Sequence, residues 1–242
     1  MEQTQKTSFI NARLLIALAI IISTGIGAYT FYRIRSLDDS LSVTGSATKT
    51  VVSDHVKWVG GITRVAKVST LKTGYADMAR DLEHVKAFLK EKGIADQDIV
   101  ISPVFMDQNY DQPQGAERSY TLRQMIDVNS SDVKGIADIA KNIQPLIEKN
   151  VVFSTQSLEY TYSKLPEERV AMLADALADA KARASTLASS TGKRVGQLKN
   201  ASSGVVQVMS AHSTDVSDYG MYDTSKIEKN IMLTVKASFT LE

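Results

Sequence analysis

The stretch "PEERVAMLADALADAKARASTLASSTGKRVG", residues 166–196, decides the fold, because it predicts one long helix between two groups of strand patterns. A proline followed by two glutamates suits the start of a helix, and Gly192 suits its C-terminal cap. The residues with the alternating three-and-four spacing of a heptad are Val170, Leu173, Leu177, Ala180, Ala184, Leu187 and Thr191.

Two interpretations of this heptad pattern are open. The helix pairs with a helix of a second protomer, or it lies on a sheet of its own domain. Ala174, Ala178 and Ala188 widen the small-residue face, which lets backbones approach closely. A helix that stands between two strands of one domain favours packing on a sheet.

Upstream of this helix, the patterns from Val56 to Ser163 follow the order strand, helix, strand, strand, helix, strand. That order is typical of a split βαβ, or ferredoxin-like, unit. Gly93 ends the first helix, and Ser131 or Asp132 caps the second. The predicted strands are residues 55–69, 96–110, 120–130 and 151–163, and the predicted helices are about 76–92 and 131–147.

Further strand patterns flank this unit. Residues 41–54 precede it, with a bend at Ser53 and Asp54, and residues 192–212 and 227–242 follow the long helix. Gly60 and Gly61 predict a bulge or the close approach of another backbone. The expected fold class is α/β (α+β): a ferredoxin-like core with an added long helix and two further strands, preceded by one N-terminal transmembrane helix.

The N-terminal segment from Leu14 to Tyr32 contains no charged residue and is flanked by Arg13 and Arg33. A helix of this length spans roughly 28 Å, enough to cross the hydrocarbon core. A cleaved signal peptide is the alternative, but the apolar run is long and ends in aromatics and arginines, which favours an uncleaved signal-anchor.

The resulting division of the chain has four parts. We expect a cytoplasmic tail (1–13), a transmembrane signal-anchor helix (14–32), a linker (33–40) and an extracytoplasmic domain (41–242). The small excess of basic residues before the span favours an N-terminus inside the cell. The expected location is the bacterial inner membrane, with the C-terminal domain in the periplasm.

Composition and motifs argue against most chemistry. A net charge of +1 offers no electrostatic footprint for nucleic acid, and the absence of cysteine removes thiolate nucleophiles and Cys-ligated zinc. His55, His84 and His212 lack the spacing that places two imidazoles on one helix face. The chain has no GxSxG or GxGxxG motif. We therefore expect no enzyme activity, no cofactor and no metal site.

Two polar connections, Asp107–Arg118 and Ser213–Lys226, contain the apolar side chains that we expect to be exposed. Solvated loops are the simpler interpretation, and partner contact is the other. Aromatic side chains in such loops are typical recognition anchors. The candidate contact residues are Tyr110, Tyr219, Met221 and Tyr222.

Five segments in order resemble the SIMPL-domain family of bacterial envelope proteins. They are "LSVTGSATKTVVSD", "VKAFLKEKGIADQDIVISPV", "YTLRQMIDVNSSDVKGI", "ALADAKARASTLASSTGKRVGQL" and "IEKNIMLTVKASFTL", within Leu41 to Glu242. One departure is that family members usually have a proline near the end of the first strand, where this chain has Ser53, Asp54 and His55.

The resemblance implies an exported α/β domain without established catalytic residues. Some members of the family that this chain resembles assemble into ring-like or channel-like oligomers, and others are linked to oxidative stress tolerance. We therefore expect a membrane-anchored, non-enzymatic envelope protein, a homo-oligomer or partner binder, acting in envelope or oxidative stress tolerance. The alternatives are a periplasmic hydrolase and a small-ligand-binding domain, each with a site that no short motif reveals.

Overall fold

The computed structural model describes residues 2–36, 39–110, 113–211, 213 and 219–242. It contains helices and antiparallel strands in comparable amounts, which confirms the mixed α/β class. The helices are α1 (Glu2–Ser36), α2 (Leu71–Glu91), α3 (Val133–Lys141), α4 (Gln144–Glu148) and α5 (Leu165–Ser190). The strands are β1 (Ser40–Val52), β2 (His55–Lys67), β3 (Ile99–Ile101), β4 (Phe105–Asn109), β5 (Ser119–Ser130), β6 (Phe153–Thr161), β7 (Val195–Ser210) and β8 (Glu228–Leu241).

A five-stranded sheet forms the ferredoxin-like part. Its order is β3-β5-β2-β6, with β4 also paired to β5, and its pairings are antiparallel. The central pair runs from Val56 opposite Ser130 to Lys67 opposite Ser119. This is the strand order that the split βαβ pattern predicts, so the ferredoxin-like core is confirmed. A second sheet has three strands in the order β1-β8-β7.

The predicted irregularity at Gly60 is confirmed. The register of β2 against β6 shifts between Val59 and Gly60, as a β-bulge does. The ring of Phe153 lies against Gly60, and a Cβ at that position would overlap it. Trp58 packs edge-to-face on Phe153, with ring centroids 5.8 Å apart. The glycine therefore makes room for an aromatic pair in the core.

The first predicted helix, at about residues 76–92, begins earlier in the structure than the sequence pattern predicts. Helix α2 begins at Leu71, whereas the pattern predicts a start near Ala76. A short 3-10 turn over Val68–Thr70 leads directly into it. Gly74 lies close to the side chains of Ala66 and Leu122, a contact that only a glycine allows without a shift of its neighbours. This tertiary contact keeps a weak helix former in the first turns.

The single strand predicted for residues 96–110 is wrong, because Pro103 separates β3 from β4. Proline has no N–H to donate to a strand ladder. Ser102 bridges the gap to β5: its N–H donates to the Met125 carbonyl (3.0 Å), and its Oγ accepts from the Met125 N–H (2.9 Å).

The single helix predicted for residues 131–147 is also wrong, since α3 and α4 are separate. Pro145 lies in the first turn of α4, a position that suits proline but would break a continuous helix. The Asn142 side chain donates to the Asp138 carbonyl (2.7 Å) and closes α3. The predicted cap is confirmed at Asp132, whose Oδ1 accepts from the Gly135 N–H at 3.0 Å.

The chain forms two compact units. Unit 1 consists of residues 1–47, 172–204 and 233–242, and unit 2 of residues 48–171 and 205–232. Four elements, β1, α5, β7 and β8, contribute residues to both units. Unit 2 contains the whole five-stranded sheet and its buried side chains, among them Trp58, Ile62, Met78, Phe88 and Leu122.

In unit 1, helix α5 packs on strands through its smallest residues, which confirms packing on a sheet. A Cβ on Gly45 of β1 would overlap the Ala176 carbonyl oxygen and the Ala180 nitrogen. The buried row of α5 repeats every four residues, along the natural ridge of a helix surface. Its members are Met172, Ala176, Ala180, Ala184 and Ala188.

The predicted heptad face of α5 is therefore partly wrong. Val170 is 68% exposed and Leu187 is 52% exposed, although both were heptad positions. The larger side chains give way because the close approach of Gly45 requires alanines at the contact. Of the three alanines expected to widen the face, Ala188 is buried, while Ala174 and Ala178 are exposed.

Candidate functional site

Three of the four candidate contact residues lie in one segment, Tyr219–Lys229, here called the 219–229 segment. Its first part runs parallel to β7 through a bridge between Tyr222 and Val208. The Val208 N–H donates to the Met221 carbonyl (2.7 Å), and the Asp223 N–H donates to the Val208 carbonyl (2.8 Å). The backbone of the segment is thus fixed to the end of β7.

Strand β6 and the β1–β2 bend fix the rest of the 219–229 segment. The Tyr160 N–H donates to the Thr224 carbonyl (2.8 Å), and the Ser53 N–H donates to the Ile227 carbonyl (2.8 Å). Beyond β6, the Tyr162 N–H donates to the hydroxyl of Tyr222 (2.8 Å). Tyr222 is therefore a structural anchor as well as a contact candidate.

Lys229, the last residue of this segment and the second residue of β8, is fully buried. Its Nζ donates to the Asp223 carbonyl and lies 5.6 Å from the ring centroid of Tyr222. Burial lowers the pKa of the Lys229 ammonium, and the charge of Asp223 opposes that effect. These two contacts of the buried ammonium link Asp223 and Tyr222 to the start of β8.

The carboxylate of Asp223 supports the same loop. It accepts from the Ser225 N–H at 2.7 Å. This backbone hydrogen bond, followed by the Ser225 side chain, lowers the pKa of Asp223. Asp223 stays ionised close to Lys229, which offsets part of the cost of burying an ammonium.

The candidate side chains differ in what they present to a partner. Tyr219 is 96% exposed, while Met221 and Tyr222 are each a little more than one-third exposed. Tyr110 is 85% exposed but lies elsewhere, directly after β4. The structure therefore brings three candidates together on a fixed segment and leaves Tyr110 outside it. A rigidly held segment with an exposed tyrosine can dock without a large loss of loop entropy.

A polar cluster that the sequence interpretation missed surrounds the start of α5. Lys49 Nζ lies 2.5 Å from Glu168 Oε2, and the Tyr162 hydroxyl donates to Glu168 Oε1 (3.3 Å). The hydrogen bond from Lys49 lowers the pKa of Glu168, whereas burial and then the Glu168 charge raise the pKa of Tyr162. The cluster ties Lys49 of β1 to the first turn of α5, where a carboxylate also suits the helix dipole.

A pair of hydrogen bonds extends this cluster to the β1–β2 bend. Asp54 accepts from the Ser163 N–H (2.8 Å) and from the Ser163 hydroxyl (2.7 Å). No sequence motif signals these contacts, because the partners are separated by 109 positions. The arrangement is an ion-paired network that positions α5.

In the part of the chain that the structure describes, no three His, Asp or Glu side chains are arranged so that they could bind a metal ion. His55 begins β2 and His84 lies on α2. The remaining histidine, His212, lies outside the described residues.

Helix α1 contains the membrane candidate. Within the described residues, one helix is long and apolar enough to cross a membrane, over the 19 residues Leu15–Arg33, and none of that window is buried. The window overlaps the predicted span, Leu14–Tyr32, almost completely. The surrounding helix also includes most of the predicted tail and residues 33–36 of the predicted linker. A signal sequence near the N-terminus also satisfies this criterion of length and composition.

The part of the chain after α1 matches a known protein family. The family model of SIMPL, described as a protein of unknown function (DUF541), matches residues 41–240. The chain belongs to the SIMPL family. No curated protein matches it. The SIMPL match begins in β1 and ends in β8, so it includes the 219–229 segment and the cluster at Glu168, while α1 lies outside it.

Proposed function

We propose that this SIMPL protein is a single-pass, non-enzymatic protein of the bacterial inner membrane whose domain lies in the periplasm. The observation that carries the proposal is the apolar window of α1, in which no residue is buried and which precedes the SIMPL domain in the chain. An uncovered apolar surface of this size is costly in water and favourable in a bilayer. The family resemblance supports a role in envelope or oxidative stress tolerance.

Fractionation tests the anchor. We expect the full chain in the membrane fraction after alkaline carbonate extraction, with Met1 or Glu2 as its mature N-terminus. A C-terminal reporter that is active only outside the cytoplasm is expected to be active. A soluble mature protein that begins after Ala28 would show a cleaved signal and contradict the anchor.

We further propose that the domain binds a protein partner or a second copy of itself through the 219–229 segment. Support comes from the exposure of Tyr219 on a backbone that β6, β7 and Lys229 hold in place. Tyrosine supplies a large contact area at a low entropy cost. The segment thus resembles a preorganised contact surface.

Site-specific crosslinking tests this contact. A photoreactive residue in place of Tyr219, in the full chain within its membrane, is expected to give discrete crosslinked products. The matched control is the same residue in place of Tyr110, an exposed tyrosine outside the segment. Equal products from both positions, or none from position 219, would overturn the contact while leaving the membrane anchor untouched.

A further inference from the structure

Residues 225–228 of the 219–229 segment form part of the wall of a cavity. Its volume is about 590 Å³, within the range of small-molecule sites. We call it the Tyr160 cavity. The residues that line it are Val52, Lys134, Tyr160, Ser210, Ala211, Ser225, Lys226, Ile227 and Glu228.

Tyr160 is the feature that points to a ligand. The residue is 8% exposed, belongs to the core of unit 2, and donates its backbone N–H to Thr224. Its hydroxyl has no hydrogen-bond partner among the residues that the structure describes. Among the described residues, the one fully enclosed side-chain oxygen without a partner is that of Ser53, so the Tyr160 hydroxyl keeps some accessible surface, and Tyr160 is one of the residues that line the cavity. A buried tyrosine hydroxyl normally has a partner.

The charges around the cavity select the kind of partner. Lys134 lies in the first turn of α3, and Lys226 and Glu228 lie on the 219–229 segment. None of the three forms an ion pair with another described residue. Two ammonium groups and a phenolic donor outweigh one carboxylate, so the lining favours a negatively charged ligand.

The remaining lining residues set the ligand's size and polarity. Val52, Ala211 and Ile227 supply an apolar wall, and Ser210 and Ser225 lie on the polar side. A purely apolar ligand would leave the hydroxyl of Tyr160 without a partner, and a cation would meet two lysines. An organic anion with a small apolar body can contact the apolar wall and accept hydrogen bonds from the lysines and the tyrosine.

We propose that the Tyr160 cavity binds a small organic anion whose carboxylate or phosphate accepts hydrogen bonds from the Tyr160 hydroxyl, Lys134 and Lys226. The apolar part of the ligand contacts Val52 and Ile227. The site uses no residue of the membrane helix, and its lining does not include the contact candidates Tyr219, Met221 and Tyr222.

A matched series of probes tests the class of ligand. The probes share a phenylethyl body and differ in the head group: 3-phenylpropionate, phenethyl phosphate, 2-phenylethanol and phenethylammonium. Each is titrated into the full chain in nonionic detergent micelles, with NMR shifts of the backbone amides of Lys134, Ser225 and Lys226 as the readout. We expect saturable shifts with the anions and at least roughly tenfold weaker binding of the alcohol and the amine. The stronger of the two anions distinguishes carboxylate from phosphate chemistry.

Variants then test the residues. Tyr160→Phe removes one hydroxyl and is expected to weaken the binding of the better anion by roughly tenfold, as is Lys226→Gln. Glu228→Gln is expected to strengthen it, because a like charge is removed. The matched control is Tyr162→Phe, since that hydroxyl bonds to Glu168 and does not line the cavity. A folding defect would not produce effects of opposite sign.

Two results would overturn the site. One is equal binding of the alcohol and the anions, which would indicate an apolar pocket without anion selectivity. The other is unchanged anion affinity in both Tyr160→Phe and Lys226→Gln, with an unfolding midpoint like that of the wild type. The absence of saturable shifts with all four probes up to their solubility limits would also count against it.

Discussion

The two compact units pack helices on strands in opposite ways. In unit 1, α5 meets β1 where the backbone of Ala176 and Ala180 lies against Gly45, so that main chain contacts main chain. In unit 2, large side chains such as Met78 and Leu122 fill the space between α2 and the sheet. A side-chain core can rearrange around a change, whereas two backbones in contact cannot. Substitutions that add atoms at the α5 contact are therefore expected to destabilise unit 1 most, and substitutions that remove buried atoms are expected to destabilise unit 2 most.

The largest effect is expected from Gly45→Ala. The added Cβ overlaps backbone atoms of α5, so the free energy of unfolding falls by about 3 kcal/mol or more. Hydrogen exchange measured by mass spectrometry on the full chain is expected to accelerate at least roughly a hundredfold in α5.

Gly204→Ala is the matched control, because a Cβ there meets chiefly the side-chain hydroxyl of Thr234, which can rotate away. We expect a loss of under about 1 kcal/mol. Similar losses in the two variants would show that the α5 contact is not as close as its backbone atoms indicate.

Truncation tests the other half of the comparison. Leu122 is fully buried in unit 2, and Leu122→Ala is expected to cost about 3 kcal/mol through lost contacts and a cavity. Trp58, the one tryptophan of the chain, reports this unfolding by fluorescence in urea. The counterpart in unit 1, Ala180→Gly, removes a buried methyl group and is expected to cost only about 1 kcal/mol, mostly through helix propensity. The reverse order of the two losses would refute the distinction between the units.

The same distinction explains what could be predicted from the sequence. Unit 2 buries large side chains with regular periods, and those periods predicted the order of its strands and helices along the chain. The buried face of α5 was harder to predict, because alanine is common on both the buried and the exposed side of a helix. Ala176 and Ala180 are buried because they contact Gly45, which is distant in the sequence. The breaks at Pro103 and Pro145 were signalled locally by the prolines themselves, but the continuous strand and helix patterns around them predicted unbroken elements.

The candidate site was predicted in part for a similar physical reason. Tyr219 and Met221 stand in a polar stretch, which predicts exposure. The role of Lys229 had no signal, because a lysine in a strand pattern predicts a solvated side chain, and burial depends on Tyr222 and Asp223 folding over it. Hydrogen bonds such as that between Asp54 and Ser163 join residues far apart in sequence, so no local pattern reveals them.

Two ion pairs of unit 2 give a smaller effect. Arg64 holds Asp81 through two hydrogen bonds, Nε–Oδ2 at 2.5 Å and Nη2–Oδ1 at 2.8 Å, and the Asp81 side chain is 4% exposed. Asp81→Asn leaves the guanidinium, whose pKa that hydrogen bond raises, without its anion, so we expect a loss of about 2 kcal/mol.

Asp107→Asn is the matched control, since its pair with Arg123 is more than half exposed on both sides. Water screens that pair, and we expect a change within about 0.5 kcal/mol by urea denaturation. A loss at Asp107 equal to that at Asp81 would mean that burial does not determine the strength of these pairs.

At Lys229 we expect a small global effect and a clear local effect. Lys229→Met removes a buried charge and keeps the apolar volume, so the free energy of unfolding changes by no more than about 1 kcal/mol. The Asp223 carbonyl loses its donor, so hydrogen exchange in the 219–229 segment is expected to accelerate while that of β5 stays unchanged. Lys236→Met, which removes an exposed lysine from the same strand, is expected to leave both regions unchanged.

The pH dependence at Lys229 has a definite sign. Because burial lowers the pKa of Lys229 in the folded protein, the unfolded chain binds that proton more tightly. Between the folded pKa and the unfolded value, about 10.4, the unfolded state therefore carries more protons, and stability rises with pH. The difference in unfolding free energy between the wild type and Lys229→Met should grow in favour of the wild type from pH 7 to pH 10 in urea titrations. A difference that shrinks over this range would mean that the ring of Tyr222 and the charge of Asp223 stabilise the ammonium by more than burial costs it.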